Sequence, residues 1–495
     1  MVRVHPPQPF FEAAISGAFL KGAGIVNQPE KLFGVLLLAA GKGTRMRSKT
    51  PKVLHLMLEE PILYYPLKSA LDAGFSETAV VVGYEGEAVE CWVRENFPES
   101  AIIWQREQRG TGHAAKLAQE WWSAYENVLV LAGDAPLITP ETLEYFAERH
   151  TSGGNDCSFL SFTLADPTGY GRVITENGSV RVVEHKDATE AERAVHEVNS
   201  GMYIFRTEAL ASVIDEISCS NAQGEYYLPD ALALIAARGG KVEAVHAADS
   251  EQFLGINDQI QLANAARIMR DRIVLSLMRD NGLHCMDPSS VWIGPKVKVG
   301  RDVTIHPSVQ LWGETVVEDG AFIGSFTVLR NSVIHENANI KGSVRLNDST
   351  VGPRASAGPF SFMREHGELL ENAHMGRFVE IKKSVIGRDS KVPHLSYIGD
   401  TEIGENTNIG AGTITCNYDG VKKNRTKIGS NCLIGSDTMF VAPVEVGDEV
   451  STAAGSVITN RIPDGALGVG RARQTNIEGW SNRRRKKQSD GKSRS

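Results

Sequence analysis

Ile293, Val299, Ile305, Leu311, Val317, Ile323 and Leu329 follow one another at a strict spacing of six. An α-helix repeats every 3.6 residues and an extended strand every 2, so neither explains the pattern. A six-residue aliphatic repeat predicts a parallel β-helix, in which each aliphatic side chain points inward from a short strand and the chain bends after it. Gly294, Gly300 and Gly324 directly follow three of these positions. The pattern resumes at Ile334, Ile340 and Leu346, then returns at Ile428, Ile434, Phe440 and Val446, with Ile458 after the polar Thr452. Between Val351 and Lys427 the register holds only locally, at Val351, Ile386, Ile398, Ile403 and Ile409. That stretch is expected to send loops off the scaffold, where function tends to sit.

The first half has a different texture. At 495 residues the chain is too long for one ordinary core. The run Gly34-Val-Leu-Leu-Leu-Ala-Ala-Gly41 reads as a buried strand entering a glycine loop. Further apolar runs, Thr78–Val82, Ala101–Trp104, Val128–Ala132 and Gly201–Phe205, are interleaved with helical stretches such as Gly112–Tyr125 and Pro140–His150. This alternation predicts an α/β, Rossmann-like domain with a mostly parallel sheet, ending near Asn257. Asp258–Asn281 holds no glycine or proline and repeats its apolar residues at helical spacing. It predicts one linking helix, with Asp258 as N-cap and Gly282 just past the end. The division is then an extension over 1–33, the α/β domain over 34–257, the linking helix over 258–283, the β-helix over 284–471 and a basic tail over 472–495.

Charge and cysteine usage exclude several classes. A formal net charge of −8 argues against general nucleic-acid binding. The six cysteines form no CxxC pair, which fits neither a disulfide framework nor a zinc site and suits a reducing cytoplasm. No run of 18 apolar residues predicts a membrane span. The apolar patch from Phe10 to Val26 is interrupted by Glu12 and Lys21 and reads as an extension rather than a signal peptide. From Ser481 to Ser495 there are seven basic residues and one acidic one, including Lys487, Lys492 and Arg494. They read as a solvated terminus, with weak contact to an anionic surface as the alternative.

The loop Leu38-Ala39-Ala-Gly41-Lys-Gly43-Thr44-Arg45-Met46 follows the first strand. Its glycines let backbone N–H groups approach phosphate oxygens. It fits neither GxGxxG nor the Walker loop. Lys52, seven residues after Arg45, adds a second cation, and two cations suit a triphosphate whose charge grows as pyrophosphate leaves. Asp134 ends a strand in Val130-Leu-Ala-Gly133-Asp134. Alone it could be a helix cap; with a second oxygen ligand it could hold Mg²⁺.

This series resembles the sugar nucleotidyltransferases, whose signature runs L-A-A-G-x-G-T-R-M with a lysine shortly after. The resemblance implies that Arg45 and Lys52 neutralise the phosphates of UTP, with Leu38, Ala39 and Gly41 lining the nucleotide. It implies that Gln105, Gly110 and Thr111 of Gln105-Arg-Glu-Gln-Arg-Gly110-Thr111-Gly-His read uracil. Asn257 of Gly255-Ile-Asn257 becomes the second Mg²⁺ ligand beside Asp134. Gly171, Glu184 and Asn199, in Gly169-Tyr-Gly171-Arg, Glu184-His-Lys-Asp and Asn199-Ser-Gly, would hold the N-acetylhexosamine. Ala132 stands where relatives often carry a polar or aromatic residue, so one secondary contact is expected to be lost.

In the second half, Phe378-Val-Glu380-Ile-Lys382-Lys, Lys391-Val-Pro-His394-Leu-Ser-Tyr397-Ile-Gly-Asp400 and Asn408-Ile-Gly-Ala411-Gly-Thr-Ile-Thr-Cys-Asn417-Tyr418 form a dense polar cluster. A histidine there could take the proton of an amine attacking a thioester near neutral pH. The run resembles the family of bifunctional N-acetylglucosamine-1-phosphate uridyltransferases and glucosamine-1-phosphate acetyltransferases, and with the first domain the resemblance spans roughly residues 34–480. It implies a left-handed coil of triangular section, a homotrimer, and His394 as proton acceptor. It assigns Arg364, Lys382 and Tyr397 to the sugar phosphate, Asn408 to the sugar, and Lys423 to a further contact, from a neighbouring subunit in one reading. Acetyl-CoA would lie near Ala411, Asn417, Tyr418, Ser436 and Ala454, with Arg471 at its phosphates. The family usually has Arg-Pro-Gly where this chain has Arg364-Glu365-His366, so the loop is expected to sit differently, with a negative charge added to a phosphate site. Two rivals stand beside the two-activity reading: a single-activity nucleotidyltransferase whose β-helix serves assembly or regulation, and a non-catalytic scaffold.

Overall fold

The computed structural model describes residues 32–176 and 179–485. Most of the N-terminal extension and the tail beyond 485, including Lys487, Lys492 and Arg494, lie outside the described residues.

The first domain is built on a mixed sheet. Its strands are β1 (Phe33–Leu38), β2 (Thr78–Val82), β3 (Ala101–Trp104), β4 (Asn127–Ala132), β5 (Cys157–Thr163), β6 (Arg172–Glu176), β7 (Ser179–Val183), β8 (Glu197–Arg206) and β9 (Val242–His246). The order across the sheet is β9-β5-β8-β4-β1-β2-β3. The central strands read as unbroken apolar runs because both faces are covered. Strand alternation sends Val35 and Leu37 into one buried cluster and Leu36 into the cluster on the opposite face. β1 is parallel to β2 and β4, whereas β8 runs antiparallel to both β4 and β5 and the β6–β7 hairpin attaches to it. The expected Gly201–Phe205 strand is therefore part of a longer one, irregular between Asn199 and Tyr203, where Gly201 takes φ +78°. The helical run after Gly112 is two pieces, Thr111–Leu117 and Gln119–Trp122, broken at Ala118.

A single helix, Gln259–Asp280, leads out of this domain. The Asp258 carboxylate accepts from the backbone N–H groups of Ile260 and Gln261 at 3.0 and 2.8 Å, satisfying donors the first turn leaves unpaired. Gly282 follows its end at φ +69°. Leu262, Ala265 and Ile268 of this helix pack on the first core and Val274 on the second, so it joins them mechanically.

The second domain is the parallel β-helix that the six-residue pattern predicts. Three sheets of 11, 10 and 9 short parallel strands form its faces. The repeated aliphatics stack coil on coil: Ile293 pairs with Leu311 and Leu311 with Leu329, three hexapeptides apart each time. The loss of register after Val351 has a different cause from the one expected. The backbone stays on the coil, but Leu369 pairs with Ile386 and Ile381 with Ile398, so these coils are one residue short of three hexapeptides. One segment does leave, between Thr401 and its partner Thr426, as a hairpin bridged at Tyr418 and Lys423. Two of the polar residues turned inward are paired with the backbone: Thr407 Oγ1 donates to the Gly429 carbonyl at 2.8 Å, and Thr452 Oγ1 accepts from the Gly435 N–H at 2.9 Å.

Trp292 and Trp312 of the first coils pack against the first domain's core, and Lys296 lies 2.9 Å from Glu60 with Arg330 paired to Glu59. Among the described residues no helix is long and apolar enough to cross a membrane.

Two candidate active sites

The first site forms at the ends of β1 and β4. Gly133 N–H donates to the Leu38 carbonyl at 3.0 Å, and a Cβ on Gly133 would sit 2.9 Å from that oxygen, so only glycine lets the two loops meet here. Leu38, Ala39 and Gly41 line the loop, with no atom within 4 Å of a Cβ built on Gly41. Gly43, at φ +57°, presses against the Lys52 stem, where a Cβ would come within 2.6 Å of the Lys52 Cβ. This contact aims Lys52 at the strand ends. Its Nζ pairs with Asp134 Oδ2 and lies 3.4 Å from Asn257 Oδ1, while Arg45 Nη2 donates to the same Asn257 oxygen at 2.8 Å. Four residues spread over more than two hundred positions thus converge on one point. Asp134 Oδ2 and Asn257 Oδ1 both face the Lys52 ammonium, so the pair already presents hard oxygen donors to a cation, and Mg²⁺ fits that donor chemistry.

The segments expected to meet the base and the sugar are held by contacts of their own. Buried Gln105 donates from Nε2 to the Gly110 carbonyl at 3.0 Å and lies 3.2 Å from His113 Nδ1. Gly110 has φ +101°, and a Cβ there would strike Tyr226 O at 2.5 Å. Thr111 Oγ1 is taken up by the Leu228 N–H at 3.1 Å. Gly171 faces Glu184, whose carboxyl is pushed above its ordinary pKa by burial and then by Asp187, Asp230 and Glu225. Asn199 is held from both ends: Nδ2 donates to Tyr203 Oη at 2.6 Å and Oδ1 accepts from the Gly201 N–H at 3.2 Å. Tyr170, which carries no assigned role in the sequence reading, lies near Asp134, whose charge helps burial raise its phenol pKa. Nothing in its motif marks it out. Ala132 is at the end of β4, paired with Leu38.

The second site lies on the β-helix. One row across the coils carries Arg364, Lys382 and Gly399, and the row two residues earlier carries Phe362, Glu380 and Tyr397. Lys382 is buried, and its Nζ lies 3.1 Å from Asp400 Oδ2. The same Asp400 oxygen accepts from Asn417 Nδ2 at 2.6 Å, and Asn417 reaches Tyr397 Oη at 3.4 Å. A side chain on Gly399 would collide with the Tyr397 hydroxyl, so glycine keeps this pocket open. Asp419 ties the hairpin together through Val421 N, Lys422 N and Asn424 Nδ2, which hold its carboxyl down to about 2. The hairpin presents Lys423 next to Lys382, and the Lys382 ammonium pulls the Lys423 pKa below the lysine range. Asp400 is the residue that sequence reasoning left without a role; burial of its lysine partner is the missing signal.

His394 is exposed at the end of strand Lys391–His394, paired with Arg377 on the preceding coil. The turns beyond stack in a column. Gly412 N–H donates to Leu395 O, Asp437 N–H to Ala411 O and Gly455 N–H to Ser436 O, at 3.0, 2.7 and 2.8 Å. Ala411, Ser436 and Ala454 therefore rise in line from the turn that carries His394. Asn408 sits in the same sheet as His394, paired with Lys391 and Leu433. Tyr418 is exposed, with its hydroxyl on the Gly420 carbonyl at 2.8 Å. Arg471 is exposed beyond the last strand, and among the described residues no side-chain contact brings it to the cluster.

Two folds and two separate polar clusters define the class: a nucleotidyltransferase fused to a hexapeptide-repeat acyltransferase. Residues 35–177 match the MobA-like NTP transferase domain, and residues 425–460 match the bacterial transferase hexapeptide (six repeats). The chain is 45% identical over 460 residues to the bifunctional protein GlmU of Caldanaerobacter subterraneus subsp. tengcongensis, covering 92% of this chain and 99% of that one. It is 45% identical to the namesake from Heliobacterium modesticaldum, over 91% of this chain and 98% of the relative, and 42% identical to that of Streptomyces coelicolor, over 91% and 94%. The chain belongs to the GlmU family of bifunctional proteins.

Proposed function

We propose that this chain makes UDP-N-acetylglucosamine in two steps, one at each site. In the β-helix, the amine of glucosamine 1-phosphate attacks the thioester of acetyl-CoA; the C–N bond forms, the C–S bond breaks, and free CoA leaves. His394 accepts the amine proton, and Arg364, Lys382 and Tyr397 hold the phosphate. Asn408 and Lys423 complete the acceptor side. Ala411, Asn417, Tyr418, Ser436, Ala454 and Arg471 form the acetyl-CoA side. In the first domain a phosphate oxygen of N-acetylglucosamine 1-phosphate attacks the α-phosphorus of UTP and pyrophosphate leaves. No protein nucleophile is needed, so the rate comes from positioning and charge stabilisation. Arg45 and Lys52 meet the triphosphate, Lys52 exchanging Asp134 for phosphate oxygens. Asp134 and Asn257 are the residues that would hold Mg²⁺, whose charge offsets that of the phosphates. Gln105, Gly110 and Thr111 face the base; Gly171, Glu184 and Asn199 face the sugar.

The observation that carries this reading is the convergence of two independent constellations in one chain, Arg45–Lys52–Asp134–Asn257 and Arg364–Lys382–Tyr397–Asn417. A coupled assay from glucosamine 1-phosphate, acetyl-CoA and UTP tests it. His394→Ala is expected to stop acetylation alone and Asp134→Ala uridylylation alone; loss of both activities in either variant contradicts separate sites.

The working form is proposed to be a cytoplasmic homotrimer. Phe326, Phe360, Phe378 and Leu395 are exposed at equivalent corners of the coils, with Ser343 at the corner between the first two; the four have φ between +41 and +60°, and the Phe360 and Phe378 rings stack at 5.6 Å. An apolar ridge along a repeat scaffold suits packing against further copies of the same chain.

A further inference from the structure

The cations assigned to the acceptor phosphate already hold a carboxylate. Arg364 Nη1 donates to Glu365 Oε1, and Lys382 Nζ lies 3.4 Å from the other oxygen, Oε2. Glu365 thus lays one oxygen on each of two cations, as a bound phosphate would. The three carboxylates of the cluster are not equivalent. Asp400, with a side chain 9% exposed, is the partner of buried Lys382 and also takes Asn417 Nδ2, so its departure would strand a buried charge. Glu380 lies within a strand and accepts from Arg364 Nε and Nη2 at 3.0 and 2.8 Å. Glu365 sits in a turn, its side chain 48% exposed, with φ +53° followed by +61° at His366, a conformation non-glycine residues rarely adopt. Of the three, Glu365 can rotate into water and leave both cations with a carboxylate partner.

We propose that Glu365 is a resident anion of the acceptor site, occupying the phosphate subsite and swinging out when the sugar phosphate binds. The proposal rests on the acetyl-transfer reading of this site. With Glu365 in place, a phosphate meets both a filled volume and a like charge. The apparent affinity is the intrinsic one reduced by the fraction of molecules in which the carboxylate is out. Glu365 touches the phosphate-binding cations rather than the reacting atoms, so it tunes affinity.

The test is Glu365→Gln, which keeps the size and removes the charge, with Glu365→Ala as a second variant. The KM for glucosamine 1-phosphate is expected to fall about three- to tenfold, with the change in KM rather than kcat, and the inhibition constant for inorganic phosphate to fall by the same factor. The KM for acetyl-CoA stays put. An unchanged or higher sugar-phosphate KM in a folded variant overturns the proposal, since Glu365 would then be positioning its cations. If the wild type transfers no acetyl group, the acetyl-transfer reading falls separately. Calorimetric titration with inorganic phosphate, the nucleotide site filled with UDP-N-acetylglucosamine, still decides: tighter binding by Glu365→Gln supports a resident anion, and equal affinity overturns it.

Discussion

His150 shows how one buried side chain ties the first domain's stability to pH. The residue is 2% exposed, with Nδ1 2.9 Å from Ser158 Oγ and Nε2 3.1 Å from Asn127 Oδ1. The neutral ring satisfies both partners. Burial first, then the charge of Arg206, pulls its pKa from 6.5 down to about 4. The unfolded chain therefore takes up this proton before the folded one does. The resulting stability is fully present above pH 6.5 and is lost as pH falls toward 4, on the order of 3 kcal/mol at the acid end. Urea midpoints of the first domain's transition from pH 7 to 4.5 should show this slope, and His150→Gln should flatten it. A variant with the wild-type slope would place the acid sensitivity elsewhere.

Among the elements, the coil of the β-helix is the stability unit. Each coil touches only its neighbours, so damage stays local. Ile381 is fully buried, paired with Met363 below and Ile398 above. Ile381→Ala is expected to cost about 2–5 kcal/mol, through lost burial and the cavity left behind. Hydrogen exchange should quicken in the coils of Met363 and Ile398 and stay unchanged in β1 and β4. Acetyl transfer should fall too, because Lys382 is the next residue along. Uniform loss of protection through both domains would refute a coil-by-coil structure.

For the molecule as a whole, the two sites share a chain but not a core. The helix Gln259–Asp280 and the Glu60–Lys296 and Glu59–Arg330 pairs hold the domains together. If the ridge of Phe326, Phe360, Phe378 and Leu395 joins subunits, Phe360→Glu with Phe378→Glu should convert trimer to monomer in sedimentation velocity. Acetyl transfer should fall with it, because Leu395 of the ridge directly follows His394, and uridylyl transfer should be kept, because the first site lies in the other domain. A trimer that survives both charges would move the interface off this ridge.

The coil was legible in the residues because its period is local: every sixth side chain must fill the same interior, and no other architecture repeats at that interval. The glycine loop was legible for a similar reason, since Gly41, Gly43, Arg45 and Lys52 lie within one short stretch. The linking helix carried its own punctuation in Asp258 and Gly282. What depended on the three-dimensional packing was everything set by long-range pairing. Strand β8 runs against its neighbours because of a register that no local pattern specifies. The stretch after Val351 looks broken in one dimension, yet it stays on the coil, because a coil can lose a residue at a corner without losing its stacking. Asp400 and Glu365 acquire meaning only when coils stack Lys382 beside them. Interior periodicity is written along the chain, whereas the pairing of charges is decided by which coils lie next to each other.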